Sequence, residues 1–314
     1  MSSQQPLDVG LVGCGGWGRL ILRDLVAAGA RVHVVARSEA SIERAHAGGA
    51  QSIVPTVADL PTIRGVVICT PTPTHARLAE EALARGVPVF VEKPLADEAA
   101  DAERLARDFD GRLFVMDKWR YHAGVLALAR IARSGELGAL QGVRTVRVGW
   151  GNPHAGSDSA WILAPHDLAI VLEILGHLPE PRHARIEQVG TTTTGLVALL
   201  GDRPWVGLEV SSSSPRRERS VRIVCDEGSA LLPDAYSDHI LVVRGDPQRD
   251  LDAAIERRPI GTDMPLRLEL DAFLGHLRGG PPPRSGAAES ARAVAVLAKL
   301  IALATESHPS THRA

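Results

Sequence analysis

Gly13-Cys14-Gly15-Gly16-Trp17-Gly18 spaces three of its glycines as G-x-G-x-x-G. That spacing suits a loop that wraps a pyrophosphate. Gly13 permits a tight turn, Gly15 lets the backbone approach the phosphates, and Gly18 lets a helix pack closely on the preceding strand. Backbone N–H groups around Gly15, Gly16 and Trp17, at the start of that helix, then face the negative charge. The competing reading is a glycine-rich turn with a structural role only. Context favours the dinucleotide: residues 7–12 form an apolar strand-like run before the loop, and residues 17–28 carry apolar side chains at helical spacing after it.

The next β-branched run, residues 31–36, leads into Arg37-Ser38. A carboxylate here would accept the adenosine ribose hydroxyls and favour NAD. None is present. Arg37 can stack on adenine or pair with a 2′-phosphate, and Ser38 can donate to that phosphate. The expected cofactor is therefore NADP. NAD is the alternative, with Arg37 then a solvated loop residue.

These residues need a scaffold, and the surrounding chain supplies one. Strand-like runs at 65–69, 87–91 and 113–116 alternate with helical patterns at 75–85 and 97–108. Strict alternation predicts parallel βαβ units, an α/β Rossmann domain with a doubly wound parallel sheet over residues 1–118. Past residue 118 the texture changes. A helix at 122–133 is followed by strands at 142–148, 183–189, 196–200, 205–211, 220–225 and 230–232, with a helix at 166–175 between them. Consecutive strands with short turns predict an α+β domain with a mainly antiparallel sheet over residues 119–314. Helices at 266–277 and 287–304 close the chain around Gly279-Gly280-Pro281-Pro282-Pro283, which no helix crosses.

Composition excludes several classes. With 314 residues the chain is long for one core and natural for two domains. A formal net charge of -2 gives no reason to expect nucleic acid or a membrane surface as partner. Arg216-Arg217-Glu218-Arg219 is the nearest thing to a basic cluster and reads as a solvated loop. No apolar run approaches the ~20 residues needed to span a bilayer. Residues 1–5 lack the features of a signal peptide, and the polar tail from residue 306 reads as frayed. Cys14, Cys69 and Cys225 form no Cys-x-x-Cys pair, so neither a disulfide framework nor a metal site is expected. That suits a reducing cytoplasm. No nucleophile elbow, His-Glu-x-x-His run or Gly-Lys-Ser/Thr phosphate loop occurs, which removes the hydrolase and kinase readings.

Two more segments make the picture specific: Cys69-Thr70-Pro71-Thr72-Pro73-Thr74-His75 and Glu92-Lys93-Pro94-Leu95. With the glycine loop they resemble the Gfo/Idh/MocA family (glucose-fructose oxidoreductase, inositol dehydrogenase, rhizopine catabolism). The resemblance extends over nearly the whole chain. Residues 118–138 look like the family's linking helix, 221–232 like its sheet edge with an Asp-Glu-Gly turn, and 266–304 like its closing helices, which can pack back on the first domain. It implies a large open sheet whose outer face commonly serves oligomerisation, here as a homodimer or homotetramer. It also implies an active site between the domains for a small-molecule substrate. Thr70, Pro71 and His75 would line the nicotinamide ribose, with Glu92 and Lys93 beside the ring.

Hydride transfer between nicotinamide and a carbinol carbon also moves a proton on oxygen. Lys93 can give or take that proton, and its ammonium form stabilises a developing alkoxide. The resemblance further implies that His166, in Trp161-Ile162-Leu163-Ala164-Pro165-His166-Asp167, opens a helix beneath the substrate and hydrogen-bonds the reacting oxygen. A satisfied structural histidine is the alternative. Asp167, at that helix start, either favours the helix dipole or orients His166. Arg120 matches an arginine that often faces substrate, with Tyr121 beside it; a helix-start salt bridge is the alternative. Residues 150–154 form a substrate lid or a plain loop.

The chain departs from the family where many members carry an aspartate four residues before the histidine. Ile162 stands there. Three readings follow. Lys93 and His166 suffice; or Asp158, Tyr121 or His154 replaces the carboxylate; or the protein binds cofactor and ligand without fast turnover, as a sensor. The family's usual substrates are sugars, cyclitols and nucleotide sugars, while some relatives reduce imines or other rings. The basic or neutral set Lys93, Arg120 and His166 favours a ketosugar or sugar alcohol.

Overall fold

The computed structural model describes residues 5–152 and 158–306. His154, a candidate stand-in for the carboxylate and part of the candidate lid, lies outside the described residues, as do residues 1–4 and the tail from 307. The chain forms two compact units. One takes the chain up to Lys118 together with Met264–Val294; the other takes Trp119–Asp263 and the chain from Ala295.

In the first unit β1 (Asp8–Val12), β2 (Arg31–Val35), β3 (Ser52–Val54), β4 (Gly65–Ile68), β5 (Val89–Glu92) and β6 (Leu113–Met116) form one sheet. Their order is β3-β2-β1-β4-β5-β6, and every pairing is parallel. Val9, Leu11, Val32, Val34, Val66, Val67 and Ile68 are fully buried, as strands covered on both faces must be. Helices α1 (Gly18–Ala27), α2 (Glu39–Ala47), α3 (His75–Leu83) and α4 (Ala99–Asp108) make the crossovers. The strand order reverses between β1 and β4, so a crevice opens at their carboxyl ends, the usual dinucleotide position in this architecture.

Two of these elements have no counterpart among the sequence expectations. α2 buries only Ala45, and β3 is three half-buried residues, so neither leaves a strong periodic signal. α7 (Pro265–Leu277) falls within the 119–314 range but is one of the closing helices expected to be able to pack back on the first domain. Its Leu266, Leu270, Phe273, Leu274 and Leu277 join the first unit's core, with Phe273 stacked on Phe90 at 5.0 Å between ring centroids. α8 (Ala287–Glu306) is divided between the units.

The second unit holds an eight-stranded sheet. Its strands are β7 (Leu140–Trp150), β8 (Pro181–Val189), β9 (Thr192–Leu200), β10 (Trp205–Ser211), β11 (Ser213–Cys225), β12 (Gly228–Leu232), β13 (His239–Arg244) and β14 (Ile255–Pro259). The order is β14-β13-β12-β11-β7-β10-β9-β8. Only the β7–β10 pairing is parallel. α5 (Ala123–Ser134) ends at Gly135, whose φ of 68° gives the left-handed cap. α6 (Ser159–Leu175) packs on the sheet. The Arg216–Arg219 stretch is not a loop: it belongs to β11, where a register break between Ser213 and Glu218 lets the chain bulge. Arg219 pairs in register with Arg147 of β7, and burial, with that like charge beside it, lowers its pKa. β13 and β14 extend the sheet past the expected strands. Among the described residues no helix is long and apolar enough to cross a membrane.

Candidate functional site

The first unit gathers the cofactor residues on one edge of its sheet. Gly13 follows β1 with a φ of 94°, and a Cβ there would sit 3.0 Å from the Cys69 carbonyl oxygen. A Cβ on Gly18 would lie 2.4 Å from the Gly13 oxygen and 2.8 Å from Cys69 Sγ. Both positions therefore require glycine. Gly15 and Gly16 differ, because a Cβ on either would meet nothing within 4 Å. Their backbone faces open space. α1 begins behind them with no side-chain cap and no acidic residue in its first turn. Arg19 N donates back to the Gly15 carbonyl at 3.1 Å and Leu20 N to the Trp17 carbonyl at 2.9 Å, so it is the N–H groups of the loop just before them that an anion would meet. These residues fit a dinucleotide pyrophosphate.

The loop is tied to its neighbours. The Cys69 thiol donates to the Gly13 carbonyl at 2.9 Å. Burial, with Glu92 and Cys14 adding to it, pushes that thiol's pKa far up, so it stays a donor. The Lys118 ammonium lies 4.4 Å from the centre of the Trp17 ring. Thr74 donates to the Pro71 carbonyl at 2.7 Å and is 2.7 Å from the Thr70 hydroxyl. His75 is 1% exposed, with Nε2 2.8 Å from the Thr70 carbonyl and Nδ1 2.9 Å from the Pro94 carbonyl. Its ring therefore acts on the site through two loops rather than by lining it.

Glu92 is the half-buried last residue of β5, and half-buried Lys93 follows. The Lys93–Pro94 peptide is cis. Pro94, Leu95 and Ala96 are buried and anchor the loop. Arg37 is exposed just past β2. Ser38 caps α2 instead of standing free: its hydroxyl accepts from Ser41 N at 3.3 Å and donates to Ser41 Oγ at 2.9 Å. Glu39, an acid in the first turn of α2, directly follows Ser38.

The second unit holds the remaining candidates. Arg120 is 8% exposed and its Nε donates to Glu173 of α6 at 3.0 Å. Tyr121, next to it, is buried. His122 caps α5 by accepting from Gly124 N at 3.1 Å, while its Nε2 donates to the Ala235 carbonyl at 2.9 Å. Burial lowers its pKa, and the two contacts fix the neutral tautomer.

His166 does not open a helix. α6 starts seven residues earlier, where Asp158 accepts from Ala160 N at 2.7 Å. Pro165 sits inside the helix, and its missing N–H leaves the Trp161 carbonyl without its helical donor. A good cap and a well-packed following face outweigh the lost bond. Asp167 is accordingly mid-helix, and the dipole role falls away. Its Oδ2 accepts from Arg147 Nε at 2.6 Å; both side chains are buried, and the guanidinium lies 4.4 Å from the Trp119 ring centre. Ile162 and His166 are half-buried and one helical turn apart. Asp158 is engaged as the cap. Among the described residues no cluster of three or more His, Cys, Asp or Glu side chains could hold a metal ion.

Sequence expectations missed Glu269, a fully buried acid on α7, and Lys118 over Trp17. A carboxylate inside an apolar helical stripe, Leu266, Leu270 and Phe273, was the available signal for the first.

Comparison with known proteins agrees with this geometry. The Gfo/Idh/MocA model, an oxidoreductase family with an NAD-binding Rossmann fold, matches residues 7–112. An inositol 2-dehydrogenase of Ralstonia nicotianae is 26% identical over 295 residues, 87% of each chain. Among solved structures, the UDP-N-acetylglucosamine 3-dehydrogenase GnnA from Acidithiobacillus ferrooxidans superposes with a TM-score of 0.82 at 21% identity, covering 96% of this chain and 98% of that one. A levoglucosan dehydrogenase in complex with NADH and levoglucosan gives a TM-score of 0.85 at 17% identity, with coverages of 96% and 98%. At such identities the two structures speak for the fold alone. The glycine loop, the strand order and the profile match converge: residues 7–112 match the Gfo/Idh/MocA oxidoreductase family, with its NAD-binding Rossmann fold.

Proposed function

We propose that this protein is an NAD(P)-dependent oxidoreductase acting on a CH-OH group of a sugar, cyclitol or nucleotide sugar. One observation carries the reading: the open cradle at Gly15 and Gly16 shares a sheet edge with the Glu92-Lys93-Pro94 loop, which His75 fixes. The bound nicotinamide supplies the hydride donor or acceptor. Lys93 holds and moves the proton on the reacting oxygen, and His166 hydrogen-bonds that oxygen. Exposed Arg37 and the absence of a carboxylate in Ala36-Arg37-Ser38 support NADP over NAD; Glu39 is the feature that favours NAD. The substrate is a small molecule. The chain self-associates as a homodimer or homotetramer through the outer face of the sheet, where Val197 and Leu199 of β9 are 50% and 48% exposed. Its three free cysteines suit the cytoplasm.

The test is a panel of polyols, cyclitols and nucleotide sugars assayed with NAD and NADP, on the native protein and on Lys93→Ala and His166→Ala. We expect turnover of at least one CH-OH substrate and a loss of about 10²- to 10⁴-fold in each variant. Unchanged rates in both variants overturn the assignment of the proton. Ile162 sustains a second reading, a sensor that binds cofactor and ligand without fast turnover. Tight dinucleotide binding with no turnover across the panel would select it. Activity with cyclic imines alone would replace the CH-OH substrate.

A further inference from the structure

Glu269 lies on α7 and is 0% exposed. Neither carboxyl oxygen has a hydrogen-bond partner among the described residues. An isolated ionised carboxylate at such a site is prohibitively costly, so the group keeps its proton. Its surroundings reinforce this. Glu92 from the end of β5 and Asp117 from just past β6 disfavour its ionisation, and Lys118 opposes them. β5 and β6 pair with Glu92 opposite Met116, so Asp117 and Lys118 are the next residues beyond that pair. α1, which also packs on α7, brings Asp24, itself bonded to Arg23. Near the far end of α7, His276 packs edge-on against Phe114.

The cluster reaches the cofactor cradle by two routes. Glu92 directly precedes Lys93, and Lys118 lies over the Trp17 ring of the glycine loop. A charge on the nicotinamide ring, which the reading above places beside Glu92 and Lys93, therefore acts on Glu269 through low-dielectric protein. We propose that Glu269 is a specificity-determining residue for the redox state of the cofactor: it loses its proton when the cationic, oxidised nicotinamide is bound and keeps it when the neutral, reduced ring is bound. The inference rests on the dinucleotide reading above. The balance is simple. Both redox forms bring the same anionic pyrophosphate and differ by one positive charge on the ring; with the oxidised form the Glu269 O–H bond breaks and the proton passes to solvent, leaving a carboxylate. Glu269 takes a proton back from solvent once the ring is reduced. Oxidised cofactor should then bind more tightly as pH rises, and reduced cofactor should not.

Calorimetric titration of the full-length protein with each redox form, in buffers of different ionisation enthalpy, tests this. We expect proton release on binding oxidised but not reduced cofactor. The affinity for the oxidised form should rise by up to roughly tenfold per pH unit where Glu269 titrates. Glu269→Gln should abolish the release and flatten that pH dependence, with the affinity for reduced cofactor within about threefold of native. Equal proton exchange for both forms, or release that persists in the variant, overturns the proposal. If the variant does not fold, the infrared carbonyl band of a protonated carboxyl in the native protein decides: it should vanish with oxidised cofactor, and its persistence refutes the idea. Failure to bind either form sinks the cofactor assignment itself, and the proposal with it.

Discussion

His75 Nδ1 lies 2.9 Å from the Pro94 carbonyl oxygen, which ties the first turn of α3 to the loop that carries Lys93. The other ring nitrogen is 2.8 Å from the Thr70 carbonyl. One buried side chain thus sets two loops of the cofactor edge. Replacing it with alanine leaves a buried carbonyl without its donor, at about 1–3 kcal/mol. We expect His75→Ala to lower the melting temperature and to weaken dinucleotide binding by about tenfold, read by thermal melts and fluorescence titration. Lost stability with unaltered affinity would confine His75 to a packing role.

The glycines of the loop should separate cleanly. A Cβ on Gly18 meets the Gly13 carbonyl at 2.4 Å, a backbone atom that cannot swing aside. Gly18→Ala should cost about 3 kcal/mol or more. A Cβ on Gly15 meets nothing. Gly15→Ala should leave stability within about 1 kcal/mol, yet weaken dinucleotide binding at least tenfold by standing where the phosphate approaches. Denaturant melts and binding isotherms on both variants give the comparison.

In the second unit, Arg147 and Asp167 neutralise each other inside the protein. Removing one partner strands the other charge. Asp167→Ala should destabilise by about 3–5 kcal/mol. The double variant Arg147→Met, Asp167→Leu should recover much of the loss, since an apolar replacement of a buried pair is often neutral. Equilibrium unfolding of the three proteins tests it, and additive losses in the double variant would argue against a coupled pair.

Burial, with Glu92 and Asp117 beside it, holds the Glu269 carboxyl well above its ordinary value of 4.5. Above that value the folded protein binds a proton that the unfolded chain has released. Stability therefore falls as pH rises, by up to about 1.4 kcal/mol per pH unit, until Glu269 ionises in the folded state. Its contribution is fully present below the unfolded value. Asp8 and Glu136 act in the opposite sense, because Arg31 and Arg258 hold their carboxyls below the ordinary value. The difference between native protein and Glu269→Gln is thus the readout. It should grow in favour of the variant from pH 4.5 upward, and a pH-independent difference would contradict the buried proton.

Much of the cofactor half is legible in the sequence because its determinants are local. Gly13, Gly15 and Gly18 need only a strand before them and a helix after, and fully buried strands such as β4 announce themselves as apolar runs. The strand–helix alternation carries the sheet. α2 escapes because one buried alanine makes no stripe. The start of α6 escapes because Pro165 mimics a boundary, and only packing reveals that the helix runs through it. Asp167 and Arg120 read as site residues from type and position. Their partners, Arg147 and Glu173, are distant in sequence, so what those charges do is fixed by tertiary contact alone. Glu269 is the extreme case: its sequence neighbours say core helix, and its meaning comes from Glu92 and Asp117.

The cofactor unit is completed by a segment that follows residues 119–263. On a ribosome adding about 5–20 residues per second, that interval takes roughly seven to thirty seconds. Until α7 emerges, Phe90 lacks Phe273, and Gly65 lacks the Leu277 and Phe273 side chains that crowd it. The nascent Rossmann sheet thus waits with one greasy face bare. A chaperone that recognises such a face has its natural opportunity there, after the glycine loop has been made and before it can be held in place.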